Sequence, residues 1–222
     1  MRLIDIKEQL PTEAYELVSQ RVDALRPAQE KSIAAGLLEG RNLLVCTPTA
    51  SGKTFVAELA FVKNILEKRK KAIYVVPLRA LGNEKFKDFQ KRYASLFQVA
   101  VSTGDFDSAD PYLSTKDLII VTAEKMDSLI RHHAPWIRQI GTIVIDEAHL
   151  LNDVSRGPTL EILITLLRRM LPDVQLIALS ATIGNPQEMA EWLDATVVED
   201  TWRPVVLKKG IIVGNTLTFY RE

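Results

Sequence analysis

The chain reads as an α/β protein, a doubly wound and mostly parallel sheet of about seven strands with helices on both faces. Three observations predict this. Short apolar runs of strand length alternate with amphipathic stretches of helical length along most of the 222 residues. The runs are apolar nearly throughout, as strands buried on both faces are. Several of them end in small, hydroxyl or acidic residues, at the strand ends where open α/β sheets collect ligands.

The strand candidates are Asn42 to Cys46, Ala72 to Val76, Gln98 to Ser102, Leu118 to Thr122, Thr142 to Asp146, Gln175 to Ser180 and Thr196 to Val198. Between them fall helix candidates. Lys53 to Glu67 follows the first strand, and Gly82 to Tyr93 places Phe86, Phe89 and Tyr93 on one face with Asp88 and Arg92 paired on another. Glu124 to His132, Thr159 to Met170 and Pro186 to Leu193 complete the alternation, and Thr12 to Arg21 and Ala28 to Leu38 precede it. Residues 1–40 therefore form an N-terminal helical segment, 41–204 the main domain and 205–222 a tail. Within the tail, Val205-Val206-Leu207 and Ile211-Ile212-Val213 suit an edge hairpin or the start of further structure.

A hydrophobic content of 47% and a mean hydropathy of +0.03 predict one sizeable core in a soluble protein. No apolar run approaches a membrane span, and Met1 to Leu10 is unlike a signal peptide, so a cytoplasmic protein with no membrane partner is expected. The lone Cys46, closing an apolar strand, is expected to be a buried and inert thiol. Basic and acidic residues cancel at 28 each, but Lys63 to Arg92 is locally basic. That stretch reads as solvated helix faces, with Lys68 to Lys71 in an inter-element turn.

Three strings at strand ends carry the chemistry. Thr47-Pro48-Thr49-Ala50-Ser51-Gly52-Lys53-Thr54 is a phosphate-loop candidate: small residues leave backbone N–H groups free to face phosphates, and a cation sits at the helix start. Thr49, Ala50, Ser51, Gly52, Lys53 and Thr54 are the binding candidates, with Lys53 against the β- and γ-phosphates and the Thr54 hydroxyl on Mg²⁺. Thr47 stands where the strict pattern has glycine. The second string, Asp146-Glu147-Ala148-His149, offers Asp146 as a ligand of hard, oxygen-seeking Mg²⁺ and Glu147 as general base for an attacking water. His149 fits a hydrogen-bonded structural residue or a link to the third string, Ser180-Ala181-Thr182. Zinc chemistry is excluded for Glu147 and His149, because His132 and His133 do not provide a second histidine one turn away.

In this order the strings resemble motifs I, II and III of superfamily 2 helicases with a DEAH box. The likeness extends to Arg26-Pro27-Ala28-Gln29, similar to an adenine-reading Q motif, and to Val76-Pro77-Leu78-Arg79-Ala80-Leu81, similar to motif Ia. It includes Ser102-Thr103-Gly104-Asp105 and the segment Thr122 to Arg131, which resemble the motif Ib region, as well as Arg156 to Glu161 and Trp202 to Val205. The set is similar to that of the archaeal Holliday junction migration helicases, a Ski-like family of repair DNA helicases, from about Leu25 to Leu207. The resemblance implies a RecA-like P-loop fold, ATP and Mg²⁺ as cofactors, and single-stranded or forked DNA as partner. It also implies roles: Gln29 reading adenine, Ser180 and Thr182 coupling hydrolysis to strand movement, and Arg79, Thr103, Gly104, Thr122 and Lys125 lining a track for one strand through its phosphates. Arg26 replaces an aromatic frequent in relatives; a guanidinium also lies flat on a base.

Helicases of this type carry a second motor domain that brings an arginine finger, and this chain matches the first motor domain alone. The expectation is an ATP-binding half-motor that is nearly inactive in isolation, since such an arginine is worth about a thousand-fold or more in turnover. A second motor domain of the same protein and replication or repair proteins are the implied partners, in a nucleoid-associated setting. A Ski-like RNA helicase domain and a non-catalytic ATP-binding or partner-docking module are the alternatives; a P-loop kinase or GTPase leaves Gln29 and Ser180-Ala181-Thr182 unexplained.

Overall fold

The computed structural model of the chain describes residues 1–104, 110–205, 208, 210–214 and 216–220. Asp105 of the expected track motif, Val206 and Leu207 of the expected tail strand, and the final residues 221–222 lie outside that set.

Seven strands form one parallel sheet: β1 (Leu43–Cys46), β2 (Lys71–Val76), β3 (Val99–Ser102), β4 (Leu118–Thr122), β5 (Ile140–Ile145), β6 (Gln175–Ser180) and β7 (Thr196–Glu199). Their spatial order is β3-β4-β2-β5-β6-β1-β7, so the first strand lies one place in from the edge, between β6 and β7. Because every strand points the same way, all seven C-terminal ends share one edge. Each expected strand is present, with its boundaries moved by two residues or fewer.

The apolar runs alternate between two cores. Leu43, Val45, Ala72, Tyr74 and Val76 face one layer; Leu44, Cys46, Ile73 and Val75 face the other. The first layer holds α3 (Lys53–Lys68) and α4 (Arg79–Tyr93), and residues of the N-terminal segment, among them Leu3, Ile6, Val18, Ile33 and Leu37, are packed into the same core. The N-terminal segment contains α1 (Thr12–Ser19) and α2 (Pro27–Ala34). The second layer holds α5 (Ala123–Arg131), α6 (Gly157–Met170) and α7 (Pro186–Leu193). Such two-sided burial is what makes the strands read as continuous apolar runs.

Aromatic rings knit α3 and α4 to the sheet. Phe89 meets Phe61 and Tyr74 edge-on, each at 5.3 Å between ring centres, and Tyr93 stacks on Phe97 at 5.4 Å. Phe89 and Tyr93 are wholly buried while Phe86 packs at the margin, the face predicted from spacing; Asp88 and Arg92 meet at 3.5 Å on another face.

Several expectations need correction. Helix α4 begins at Arg79, three residues before the predicted start at Gly82, because Leu78 is the extended cap and Gly82 N–H already bonds Leu78 O. Helix α2 ends at Ala34 rather than Leu38, where Gly36 N–H tightens onto Ile33 O at 3.0 Å and the chain turns. Lys71 is not in a solvated turn: it opens β2, is buried, and donates to the carbonyls of Ser114 and Lys116 at 2.7 and 2.6 Å. Ile211 to Val213 do form a hairpin strand, β8 (Gly210–Val213) paired antiparallel with β9 (Thr216–Phe219), but as a separate two-stranded sheet rather than on the edge of the main one. Cys46 is free and buried as expected; burial first, then the nearby Glu199 charge, push its thiol up to about 11.

Phe89 bridges Phe61 of α3 and Tyr74 of β2, so Phe89→Ala leaves a cavity beneath α4. We expect a loss of about 3–5 kcal/mol of unfolding free energy, read from urea denaturation followed by circular dichroism; a loss below about 1 kcal/mol would mean that the rings do not anchor the helix.

Candidate active site

The three strings converge because β1, β5 and β6 are neighbours. The loop after β1 is held from two sides. Thr47 N–H donates to Ser180 O at 3.2 Å, and the buried Thr47 and Ser51 hydroxyls bond each other at 2.7 Å. From the N-terminal segment, Arg26 Nη1 donates to Ala50 O at 2.7 Å and Gln29 Nε2 to Gly52 O at 3.1 Å. Gln29 Oε1 in turn accepts from Arg26 N–H at 2.9 Å, and the buried Gln29 side chain braces the loop. Gly52 sits at φ +95°, and a Cβ there would come within 2.5 Å of Gln29 Nε2. Glycine is required here both by backbone conformation and by space. Ala50 also has a positive φ of 64° and, with Thr49, is exposed.

Lys53 opens α3 with its ammonium directed back over the loop. It donates to Ser180 O at 3.2 Å and lies 4.0 Å from Glu147 Oε2. One sound hydrogen bond leaves an ammonium with donor capacity that phosphate oxygens can fill.

Asp146 and Glu147 follow β5. Asp146 is largely buried; its Oδ2 accepts from the Tyr74 hydroxyl at 2.9 Å and lies 3.7 Å from Lys85 Nζ, while Oδ1 accepts from Glu147 N–H at 3.0 Å. Complete burial, and secondarily the Asp146 charge, push the Tyr74 phenol well up, so it stays a proton donor. Glu147 takes the left-handed conformation, φ 53°, a strained setting for a side chain of this kind. The bend aims its carboxylate at Lys53 and at His149 Nδ1, 3.4 Å away. His149 Nδ1 is also 3.3 Å from the N–H of Ala181. One ring nitrogen cannot accept from Ala181 and donate to Glu147 at once, so the two contacts are alternatives that follow the imidazole's proton. Ser180 is buried and its carbonyl receives both Thr47 and Lys53, whereas Thr182 is exposed.

The metal-binding expectation rests on Thr54 and Asp146. A hydroxyl and a buried carboxylate are hard oxygen donors of the kind Mg²⁺ takes, and both oxygens face the same Lys85 ammonium, 3.1 Å from Thr54 Oγ1. The donor set therefore fits the ion. Beside Thr54 an open cavity of about 450 Å³ is lined by Arg21, Arg26, Gln29, Phe55, Glu58 and Arg92. Glu58 is its buried hub, taking Arg21 at 2.5 Å, Arg92 at 2.7 Å and the Tyr93 hydroxyl. The Arg21 guanidinium also lies over the Phe55 and Tyr93 rings. Burial and Glu58 push the Tyr93 phenol up, in that order of weight.

The track candidates occupy the other half of the same edge. Arg79 starts α4 after β2 and is exposed, Thr103 and Gly104 follow β3, and Thr122 ends β4. Thr122 caps α5, its hydroxyl accepting from Lys125 N–H at 3.3 Å. Lys125 is almost wholly buried, its ammonium 3.0 Å from Asp110, which also takes the Ser102 hydroxyl at 2.5 Å. Asp110 thereby ties α5 to the end of β3. Sequence reasoning missed Tyr74, Lys85 and the Glu58 cluster. Lys85 stands among ten basic residues of one stretch, and nothing in spacing marks which of them turns inward.

A parallel sheet that gathers a phosphate loop, an acid pair and a Ser-Ala-Thr string at one edge defines a helicase-type RecA-like domain. The chain belongs to the DEAD/DEAH box helicase family, whose model matches residues 26–190. It is similar to the ATP-dependent DNA helicase Hel308 of Pyrococcus abyssi, 50% identical over 197 residues that cover 88% of this chain and 27% of the relative. Against Hel308 of Methanocella arvoryzae the identity is 46% over 207 residues, covering 90% and 28%. The chain thus spans about a quarter of the length of these curated relatives. Among solved structures, the DUF1998 helicase MrfA superposes with a TM-score of 0.76 at 25% identity, over 87% of this chain and 33% of that one. A structure of MrfA bound to DNA and AMPPNP gives the same score and identity over 87% and 30%.

Lys53→Ala removes the cation at the loop while leaving the fold, since its one strong bond is to a strand-end carbonyl. Binding of a fluorescent ATP analogue should weaken roughly ten- to hundred-fold, the worth of a charged hydrogen bond or two. Unchanged affinity would place the phosphates elsewhere.

Proposed function

We propose that the chain is the ATP-binding motor domain of an ATP-dependent DNA helicase of the Hel308 type, acting in replication-fork repair and recombination. The observation that carries this reading is the contact between strings far apart in sequence: Lys53 touches both Ser180 O and the Glu147 carboxylate, and His149 Nδ1 lies within reach of either the Glu147 carboxylate or the Ala181 N–H. Such a chain of contacts is what transmission from hydrolysis to movement needs. The Hel308 relatives are named as DNA helicases, which favours DNA over the RNA-helicase alternative. The Holliday junction migration assignment is the finer form of the same proposal.

In this reading the N–H groups of residues 50–54 and the Lys53 ammonium hold the ATP phosphates, and Arg26 and Gln29 keep the loop in place. Thr54 and Asp146 would hold Mg²⁺, which would supply positive charge against the phosphates. Glu147 orients the attacking water and accepts its proton, and His149 passes the change in Glu147 to the Ser180-Ala181-Thr182 string. Gln29 meets the adenine edge from the open cavity beside it. Arg79, Thr103, Gly104 and Thr122 bear on one DNA strand through its phosphates, with the buried Lys125 held behind them by Asp110, and such contacts carry little sequence information. On its own the 222-residue chain turns ATP over slowly, the finger arginine belonging to a second motor domain. No helix among the described residues is long and apolar enough to cross a membrane, and we place the protein in the cytoplasm beside the nucleoid.

Glu147→Gln tests the catalytic reading against a non-catalytic module. The residual single-turnover rate of ATP hydrolysis should fall about 100-fold or more, the usual share of a general base, with nucleotide affinity kept. Equal rates in both forms would leave a binding module only.

A further inference from the structure

Lys85 has no part in the reading above, yet its ammonium stands between the two groups assigned to the metal. Its Nζ is 3.1 Å from the Thr54 hydroxyl and 3.7 Å from Asp146 Oδ2, and 5.7 Å from the centre of the Tyr74 ring. We propose that Lys85 is a tethered counter-cation of the Thr54 and Asp146 subsite, which a divalent cation must displace in order to bind. The proposal rests on the metal reading of those two residues.

A buried carboxylate needs compensation for its charge. Asp146 is a largely buried acid, and its other contacts, the Tyr74 hydroxyl and the Glu147 N–H, are neutral donors. Lys53, the other ammonium nearby, is engaged with Ser180 O and Glu147 instead. Lys85 therefore supplies the positive charge that Asp146 faces. An ammonium on a four-carbon stem is a compact and movable point charge, suited to leaving when a stronger cation arrives. Two cations sharing the same pair of oxygens repel steeply where water is scarce, so occupancy by one excludes the other.

The tether gives the exchange a mechanical consequence. Lys85 projects from α4, one turn beyond Gly82, where a Cβ would approach Thr103 Cγ2 to 2.9 Å, and Arg79 is the first residue of the same helix. Helix α4 thus joins the metal subsite to two track candidates, and release of Lys85 frees that helix from its contact with Thr54 and Asp146.

The test is Mn²⁺ binding followed by electron paramagnetic resonance, on the 222-residue chain saturated with AMPPNP, in wild type, Lys85→Gln and Lys85→Met. Removing the competing cation should tighten Mn²⁺ binding about ten-fold in both variants. Lys87→Gln, which removes an exposed charge from the same helix, should leave Mn²⁺ affinity unchanged. In chelator alone, the melting temperature of the Lys85 variants should fall below that of wild type and recover with Mn²⁺. Unchanged or weaker Mn²⁺ binding in the Lys85 variants overturns the proposal, as does equal tightening in Lys87→Gln. Asp146→Asn tells this failure from failure of the underlying reading: if it leaves Mn²⁺ affinity at the wild-type value, the metal assignment itself falls.

Discussion

The backbone carbonyl of Ser180 is the point on which the site depends. It closes β6 and receives two donors from the segment after β1, the Thr47 N–H and the Lys53 ammonium. That convergence requires β1 to be inserted beside β6, which the parallel register from Leu43 opposite Ile177 to Cys46 opposite Ser180 secures. On the far side of β6 lies β5, whose end carries Asp146 and Glu147. Three segments far apart in the chain meet because parallel strands leave all their C-terminal ends on one edge.

The proposed roles divide the same edge. Strands β5, β6 and β1 carry the nucleotide candidates, and β2, β4 and β3 carry the track candidates. Helix α4 spans the division, with Arg79 at its start and Lys85 reaching Thr54 and Asp146. Ala50 and Glu147, in the turns after β1 and β5, both hold positive φ angles that side chains disfavour, as does Asp110 on the other half of the edge.

Much of this was legible in the residues. The seven strands were visible because two-sided burial writes each of them as an apolar run, and Thr47 to Thr54, Asp146 to His149 and Ser180 to Thr182 announce themselves at strand ends. Helix ends were less legible: the starts of α4 and the end of α2 are set by local hydrogen bonds of Leu78 and Gly36 that apolar periodicity does not encode. The fate of individual lysines was not legible at all. Lys71, Lys85 and Lys125 share a residue type with the solvated lysines around them, and only the tertiary placement of the Ser114 carbonyl, Asp146 and Asp110 turns them inward.

The most direct measurement of whether the three strand ends form one nucleotide site is hydrogen–deuterium exchange of the chain with and without Mg²⁺ and AMPPNP. Joint slowing of amide exchange in 47–54, 146–149 and 180–182, with the outer strand β7 unaffected, is the result expected of a single shared site. Protection confined to one of those segments, or absent from all three, would contradict it.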